Sequence, residues 1–398
     1  MVPLAISAYT TVSTLGRGAA AALAALREER SGLQPCDFAD AVLPTWVGAV
    51  AGLDETPLSG AWAEYDCRNN RLACMALQHD DFATAVAVAV ARYGASRVGV
   101  FIGTSTAGIL STELAYRGRD EQGRFSTSFD FGKTQDVYSA AAFCRRWLAL
   151  EGPALSISTA CTSGAKTFAV ASRYIQAGLC DAAVVGGVDS LCLTTLYGFN
   201  SLQLLAAQPC RPWDSQRDGL SLGEAAGFVL LQAQPPPGAA QPRVWLRGYG
   251  ESSDAYHMSS ADPAGTGAQQ AMRQALERAQ LTPAQIDYIN VHGTATPAND
   301  STEDNAITGL FGSTTPCSST KGWTGHTLGA AGALEAIFAC LCIEHDFMPA
   351  SLNTVQPDPA LSARILLQAQ DTPVHTVLSN SFGFGGTNCS LIFAQEAA

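Results

Sequence analysis

Charge is scarce in this 398-residue sequence, 15% of residues against 47% hydrophobic, so much of the chain must be buried. Basic residues are the scarcer sign: 23 against 35 acidic ones leave a net charge of −12. That deficit argues against nucleic acid as a bulk partner and leaves any acidic partner in need of a local basic patch. No run of about twenty uninterrupted apolar residues exists, which argues against a membrane-spanning helix. The start, Met1-Val2-Pro3-Leu4-Ala5-Ile6, lacks the basic flank of a secretory signal and reads as a first strand. The twelve cysteines include no C-x-x-C pair, so zinc-type spacing is absent. Most lie in apolar runs such as Ala339-Cys340-Leu341-Cys342 and read as small buried hydrophobes in a reducing cytoplasm. A dinucleotide loop is missing as well, and Gly103-Thr104-Ser105-Thr106-Ala107 falls one residue short of G-x-S-x-G.

What is present alternates. Short β-branched runs at 98–103, 154–159, 182–188 and 227–232, then at 243–248, 287–292, 376–381 and 388–393, read as buried strands. Helical patterns at 140–150, 161–177, 267–279 and 326–344 lie between them, which predicts an α/β fold with covered sheets. Pro235-Pro236-Pro237-Gly238 punctuates the chain and divides it into halves 1–234 and 239–398. A short internal repeat relates them. Cys161-Thr162-Ser163-Gly164-Ala165 is similar to His326-Thr327-Leu328-Gly329-Ala330, and Asp181 and Asp346 follow at the same offset. The repeat places Cys161 and His326 at equivalent helix starts.

Four segments can carry chemistry. At 154–164 an apolar strand runs through small residues into a helix, which puts Cys161 on an elbow at the positive end of the helix dipole. A nucleophile needs such exposure and a lowered pKa, although a small buried cysteine fits the same context. His292-Gly293-Thr294-Ala295-Thr296 ends a strand, where α/β proteins assemble sites. Asp300 and Glu303 follow at helical spacing; Asp300 reads as a cap and Glu303 as a buried organiser. Lys321 and His326 precede a helix carrying Gly329 and Gly332, glycines that cost about 1 kcal/mol each unless another backbone packs closely there. Asn380-Ser381-Phe382-Gly383-Phe384-Gly385-Gly386-Thr387-Asn388 lies between two strands, as an ordinary hairpin or as a gate whose backbone N–H completes an oxyanion hole.

Together and in this order these segments resemble the β-ketoacyl–acyl carrier protein synthases of the thiolase superfamily, in their elongating Cys-His-His branch. Arg211-Pro212-Trp213-Asp214, Asp218-Gly219 and Gly223-Glu224 are similar to further stretches of that family. Ala295 and Ala226 stand where the family commonly has other small residues, and Arg68-Asn69-Asn70-Arg71 resembles ketosynthases of aryl polyene pathways. The resemblance implies a five-layer αβαβα sandwich of two related halves. It also implies a decarboxylative Claisen condensation in fatty acid or polyketide chain elongation. Cys161 is then the acyl carrier, with the N–H groups of Cys161 and Phe384 as oxyanion donors and Phe382 beside the gate. His292 and His326 assist decarboxylation of the malonyl unit, Lys321 tunes the site, and Glu303 and Asp300 support it. No metal or other cofactor is implied.

The implied partners are an acyl carrier protein bearing acyl and malonyl thioesters, and a second chain in a homodimer or in a heterodimer with a chain-length-factor subunit. For docking the acidic carrier, Arg68 and Arg71 are the first choice and Arg117, Arg119, Arg124 and Lys133 the second. A non-catalytic chain-length factor, a degradative thiolase using Cys389, and a cysteine protease are the competing readings. Cys161 argues against the first, the lack of a Cys-x-Gly context at Cys389 against the second, and two histidines against the third.

Overall fold

β-Branched, fully apolar runs predict strands covered on both faces, and a computed structural model, which describes residues 1–234 and 243–395, shows them. The candidate linker at 235–238 lies outside those residues. Ten strands form the frame: β1 (Leu4–Ser13), β2 (Val98–Gly103), β3 (Ala154–Ile157), β4 (Ala182–Asp189) and β5 (Ala225–Gln232), then β6 (Trp245–Ser253), β7 (Tyr288–Asn290), β8 (Pro316–Ser318), β9 (Thr376–Gly383) and β10 (Thr387–Ala394). Their lateral order is β3-β2-β4-β5-β1 in one half and β6-β10-β9-β7-β8 in the other. Strand n of the first half therefore corresponds to strand n+5 of the second. In each set four strands run in one direction and one, β5 or β10, runs opposite to its neighbours, and the sets join where Leu4 of β1 opposes Leu246 of β6.

Seven helices complete the layers: α1 (Arg68–Leu77), α2 (Phe82–Tyr93), α3 (Ser139–Trp147), α4 (Ser163–Gln176), α5 (Thr266–Ala279), α6 (Pro297–Phe311) and α7 (Ala331–His345). Helices α4 and α7 touch strands of both halves, α1 to α3 cover the outer face of the first set, and α5, with α6 against it, covers the second. This is the five-layer αβαβα arrangement. Helix α7 is apolar all round and buried along nearly its whole length, as a helix between two sheets must be. With the turn before it, Leu328–His345 is long and apolar enough to cross a membrane by composition, but it is 89% buried in this core.

The two central helices meet through small residues. A Cβ on Gly164 would lie 2.7 Å from the carbonyl oxygen of Gly329, and one on Gly332 would lie 2.7 Å from Cβ of Ala165. The glycines of the sequence repeat are thus the contact between repeats. Element ends differ from the sequence expectation where the backbone turns. Helix 161–177 begins at Ser163 because Ala160 adopts φ 53, and helix 326–344 breaks at Leu328, φ 52, into a 3₁₀ turn (Leu328–Ala330) before α7. The first strand begins at Leu4 and extends to Ser13.

Candidate active site

The left-handed conformation of Ala160, costly for a residue with a Cβ, makes the sharp elbow that presents Cys161 ahead of α4. Thr159 donates its backbone N–H to Oγ of Ser163 at 2.9 Å, which fixes the turn. On the repeat-related segment, His326 donates its N–H to the carbonyl of Ser221 at 2.7 Å and accepts that of Gly223 on its own carbonyl at 3.0 Å. The two segments bring Nε2 of His326 to 3.0 Å from Sγ of Cys161. His292, just past β7, packs its ring edge-on against His326 with centroids 5.2 Å apart. Phe382 lies against His292 at 5.9 Å. Cys161, His292 and His326 are all buried, at the floor of a cleft lined also by Thr294, Thr296, Phe199, Phe382 and Phe384.

The hydrogen bonds assign the tautomers. Nδ1 of His326 accepts the backbone N–H of Leu328 at 3.2 Å, so its proton sits on Nε2, facing the sulfur. Nδ1 of His292 faces Nζ of Lys321 at 3.4 Å, and Lys321 is ion-paired to buried Glu335 at 2.5 Å. A cation there makes Nδ1 of His292 the acceptor and leaves the proton on Nε2. Burial and Lys321 hold both imidazoles well below their ordinary pKa, so they are neutral N–H donors. The ligand atoms of Cys161, His292 and His326 lie within 4.8 Å of one another, close enough for a metal. A metal would need lone pairs where these tautomers carry protons.

The sequence led us to expect a depressed thiol pKa at Cys161. Burial instead pushes the thiol up to about 12, while Lys321 and the backbone N–H groups of Phe384 and Cys161 pull against it. The correction has a physical reason: Cys161 is only 7% exposed, and loss of hydration outweighs the dipole. Those same N–H groups face the sulfur. The glycine-rich segment is a hairpin joining β9 to β10, with Gly385 and Gly386 at φ 82 and 73, and it holds Phe384 over the cleft.

Glu303 accepts the N–H groups of His292 and Gly293, each at 2.8 Å, and so fixes the histidine's backbone. Burial raises its carboxyl to about 7. Asp300 accepts from Trp213 N and Ala295 N and lies 3.5 Å from Nε of Arg217, a support that does not touch the cleft. Two residues of this cluster were not singled out from sequence. Glu335 is the one charged residue in the buried stretch Ala331–Ile343 of α7, a signal that marks a buried pair. Asp189, at the end of β4, accepts from Thr104, Ser105 and Thr106 and from Gly329 N at 2.6 Å, pinning the turn after His326.

The docking choice needs correction at Arg68. Arg68 is buried, with its guanidinium divided between Glu224 and Asp54 at 2.6 and 2.7 Å, and so it is not a surface cation. Arg71 forms a two-pronged pair with Asp66. Arg117, Arg124 and Lys133 pair with Asp40, Asp120 and Glu64, while Arg119 lies over the ring of Tyr116. Cys389 lies buried within β10, opposite Ser381, and does not line the cleft.

Two mirrored five-stranded halves with a buried cysteine and two histidines at their junction define a ketosynthase of the thiolase fold. Residues 68–235 match the family model "Beta-ketoacyl synthase, N-terminal domain" and residues 244–355 match "Beta-ketoacyl synthase, C-terminal domain". The chain belongs to the β-ketoacyl synthase family. It is 39% identical over 315 residues to 3-oxoacyl-[acyl-carrier-protein] synthase 2 of Rhizobium meliloti, covering 75% of this chain and 74% of that protein. It is 41% identical over 262 residues to the mitochondrial 3-oxoacyl-[acyl-carrier-protein] synthase of Arabidopsis thaliana, spanning 62% of this chain and 57% of that protein. The complex of the ketosynthase ApeO with its chain length factor ApeC from Xenorhabdus doucetiae superposes with a TM-score of 0.88 at 36% identity, covering 99% of this chain and 98% of that one.

Proposed function

We propose that the chain is a β-ketoacyl–acyl carrier protein synthase working in fatty acid or polyketide chain elongation. The observation that carries this reading is the Nε2–H of His326 at 3.0 Å from Sγ of Cys161, with a second neutral imidazole beside it. The thiol of Cys161 gives up its proton as its sulfur attacks the acyl thioester, the carrier sulfur takes that proton and leaves as a thiol, and the acyl group stays on Cys161. The N–H groups of Cys161 and Phe384 hold the oxyanion, each such donor being worth about 3–4 kcal/mol in comparable sites. Malonyl-carrier then enters. The Nε2–H groups of His292 and His326 bind its thioester carbonyl, carbon dioxide leaves, and the carbanion attacks the acyl carbon and expels Cys161. Lys321 and Glu335 keep His292 oriented and neutral, and Glu303 and Asp300 support the loop that carries it.

The carrier would bear both acyl and malonyl groups, and the working form would contain two chains, either two copies or this chain with a chain-length-factor subunit. The halves 1–234 and 239–398 would be the two thiolase-like units; β5 ends at Gln232 and β6 starts at Trp245. A cytoplasmic location is supported by twelve unpaired cysteines. The similarity of 68–71 to aryl polyene ketosynthases supports a polyene substrate, though Arg68 and Asn70 point inward.

Intact-protein mass measurement tests the reading. An acyl thioester should leave one adduct on the parent protein and none on Cys161→Ala. His292→Ala and His326→Ala should cut carbon dioxide release from malonyl-carrier far more than they cut loading. An adduct that persists in Cys161→Ala and maps to Cys389 would move the nucleophile and defeat the assignment.

A further inference from the structure

Two carboxylates grip the segment that follows β4. Oε2 of Glu224 accepts the N–H of Leu191 at 3.0 Å. Glu113 takes the next two free donors, Leu193 N at 3.1 Å and Thr194 N at 2.7 Å. Those donors open the helix Leu193–Ser201, whose first-turn N–H groups have no partner within the helix. Its own N-cap residue, Cys192, supplies no side-chain bond to them. The cap therefore comes from a separate helix, Ile109–Arg117, and it brings negative charge to the end of the helix that favours it. Glu224 is fully buried, whereas Glu113 is half-buried.

The capped helix carries Phe199 to the cleft. The Phe199 ring stacks on Phe384, with centroids 5.6 Å apart and planes 24° apart. With Leu204 and Leu220 it forms the apolar wall beside Cys161. Phe384 in turn carries one of the N–H groups that face the sulfur. The position of the helix thus sets both the width of the apolar wall and the seat of the Phe384 ring.

We propose that Glu113 is a positioning residue that sets the size of acyl chain accepted on Cys161, by capping Leu193–Ser201 and so holding Phe199 against Phe384. The proposal rests on the reading of Cys161 as the acyl carrier. The test measures loading of Cys161 from a short and a long acyl thioester, alongside malonyl decarboxylation, in the parent, Glu113→Ala, Glu113→Gln, Phe199→Ala and the Glu113→Ala/Phe199→Ala double variant. Glu113→Ala should lower the discrimination between the two chains about tenfold, the effect of losing one charged cap, and leave decarboxylation unchanged. Glu113→Gln, which keeps one acceptor, should restore part of it. In the Phe199→Ala background the Glu113 substitution should add nothing, because its effect passes through that ring. Additive effects, or equal losses in loading and decarboxylation, overturn the proposal. A parent protein that takes up no acyl group removes the underlying acyl-carrier reading, and the proposal falls with it.

Discussion

Glu303 grips the backbone of His292 without touching its ring, and its burial makes that grip sensitive to pH. Its carboxyl ionises near 7 in the folded chain, against an ordinary 4.5. A folded-state pKa raised in this way contributes stability that is present below the unfolded value and lost as pH rises through about 7. Glu303→Gln lacks that titration and has one acceptor fewer. Its melting temperature should lie below the parent's throughout, with a gap that narrows from about pH 5 to about pH 8. A constant gap would mean that Glu303 does not titrate in that window. Arg68 poses the opposite problem, a buried cation facing a fully buried carboxylate. Arg68→Ala should cost about 3–5 kcal/mol in denaturant titration because Glu224 is left unpaired. Arg71→Ala, beside the more exposed Asp66, should cost roughly 1 kcal/mol. The sequence showed Cys161, His292, Lys321 and His326 because each sits in a short ordered segment. It could not show that Arg68 belongs to Glu224, 156 residues away, since only the fold makes that pair.

Strands were legible as elements because a run buried on both faces is apolar at nearly every position, as in β2 and in β4 up to Val188. Helix starts were less so, because the turns before α4 and α7 depend on left-handed residues, Ala160 and Leu328, that carry no glycine to mark them. The glycines inside the central helices did carry a message, close approach of a second backbone. Gly332→Val tests it. Its Cβ would fall 2.7 Å from Cβ of Ala165 and 2.8 Å from the backbone nitrogen of the same residue, and neither can retreat along a flexible side chain. The substitution should cost about 1–3 kcal/mol in urea unfolding, with loading of Cys161 falling in parallel as the two helix starts move apart. A neutral result would show that α4 and α7 have slack between them.

On the scale of the whole molecule, β3 is the end of the sheet, paired with β2 alone among the described residues, and it exposes Leu155 at 39%. An open edge with an apolar side chain invites another strand. If the working form is a two-chain assembly built on this edge, Leu155→Lys should shift the sedimentation coefficient to that of a monomer. A value unchanged from the parent's would put the interface elsewhere. The twofold repeat carries a last consequence. Halves related by an exact symmetry axis could place only like with like at their junction, two thiols or two imidazoles. A sulfur facing a ring nitrogen requires that the halves be different molecules or, as here, different stretches of one polypeptide, free to change one side of the axis while keeping the other. The covalent join between the halves is thus what allows a symmetric scaffold to hold an asymmetric reaction.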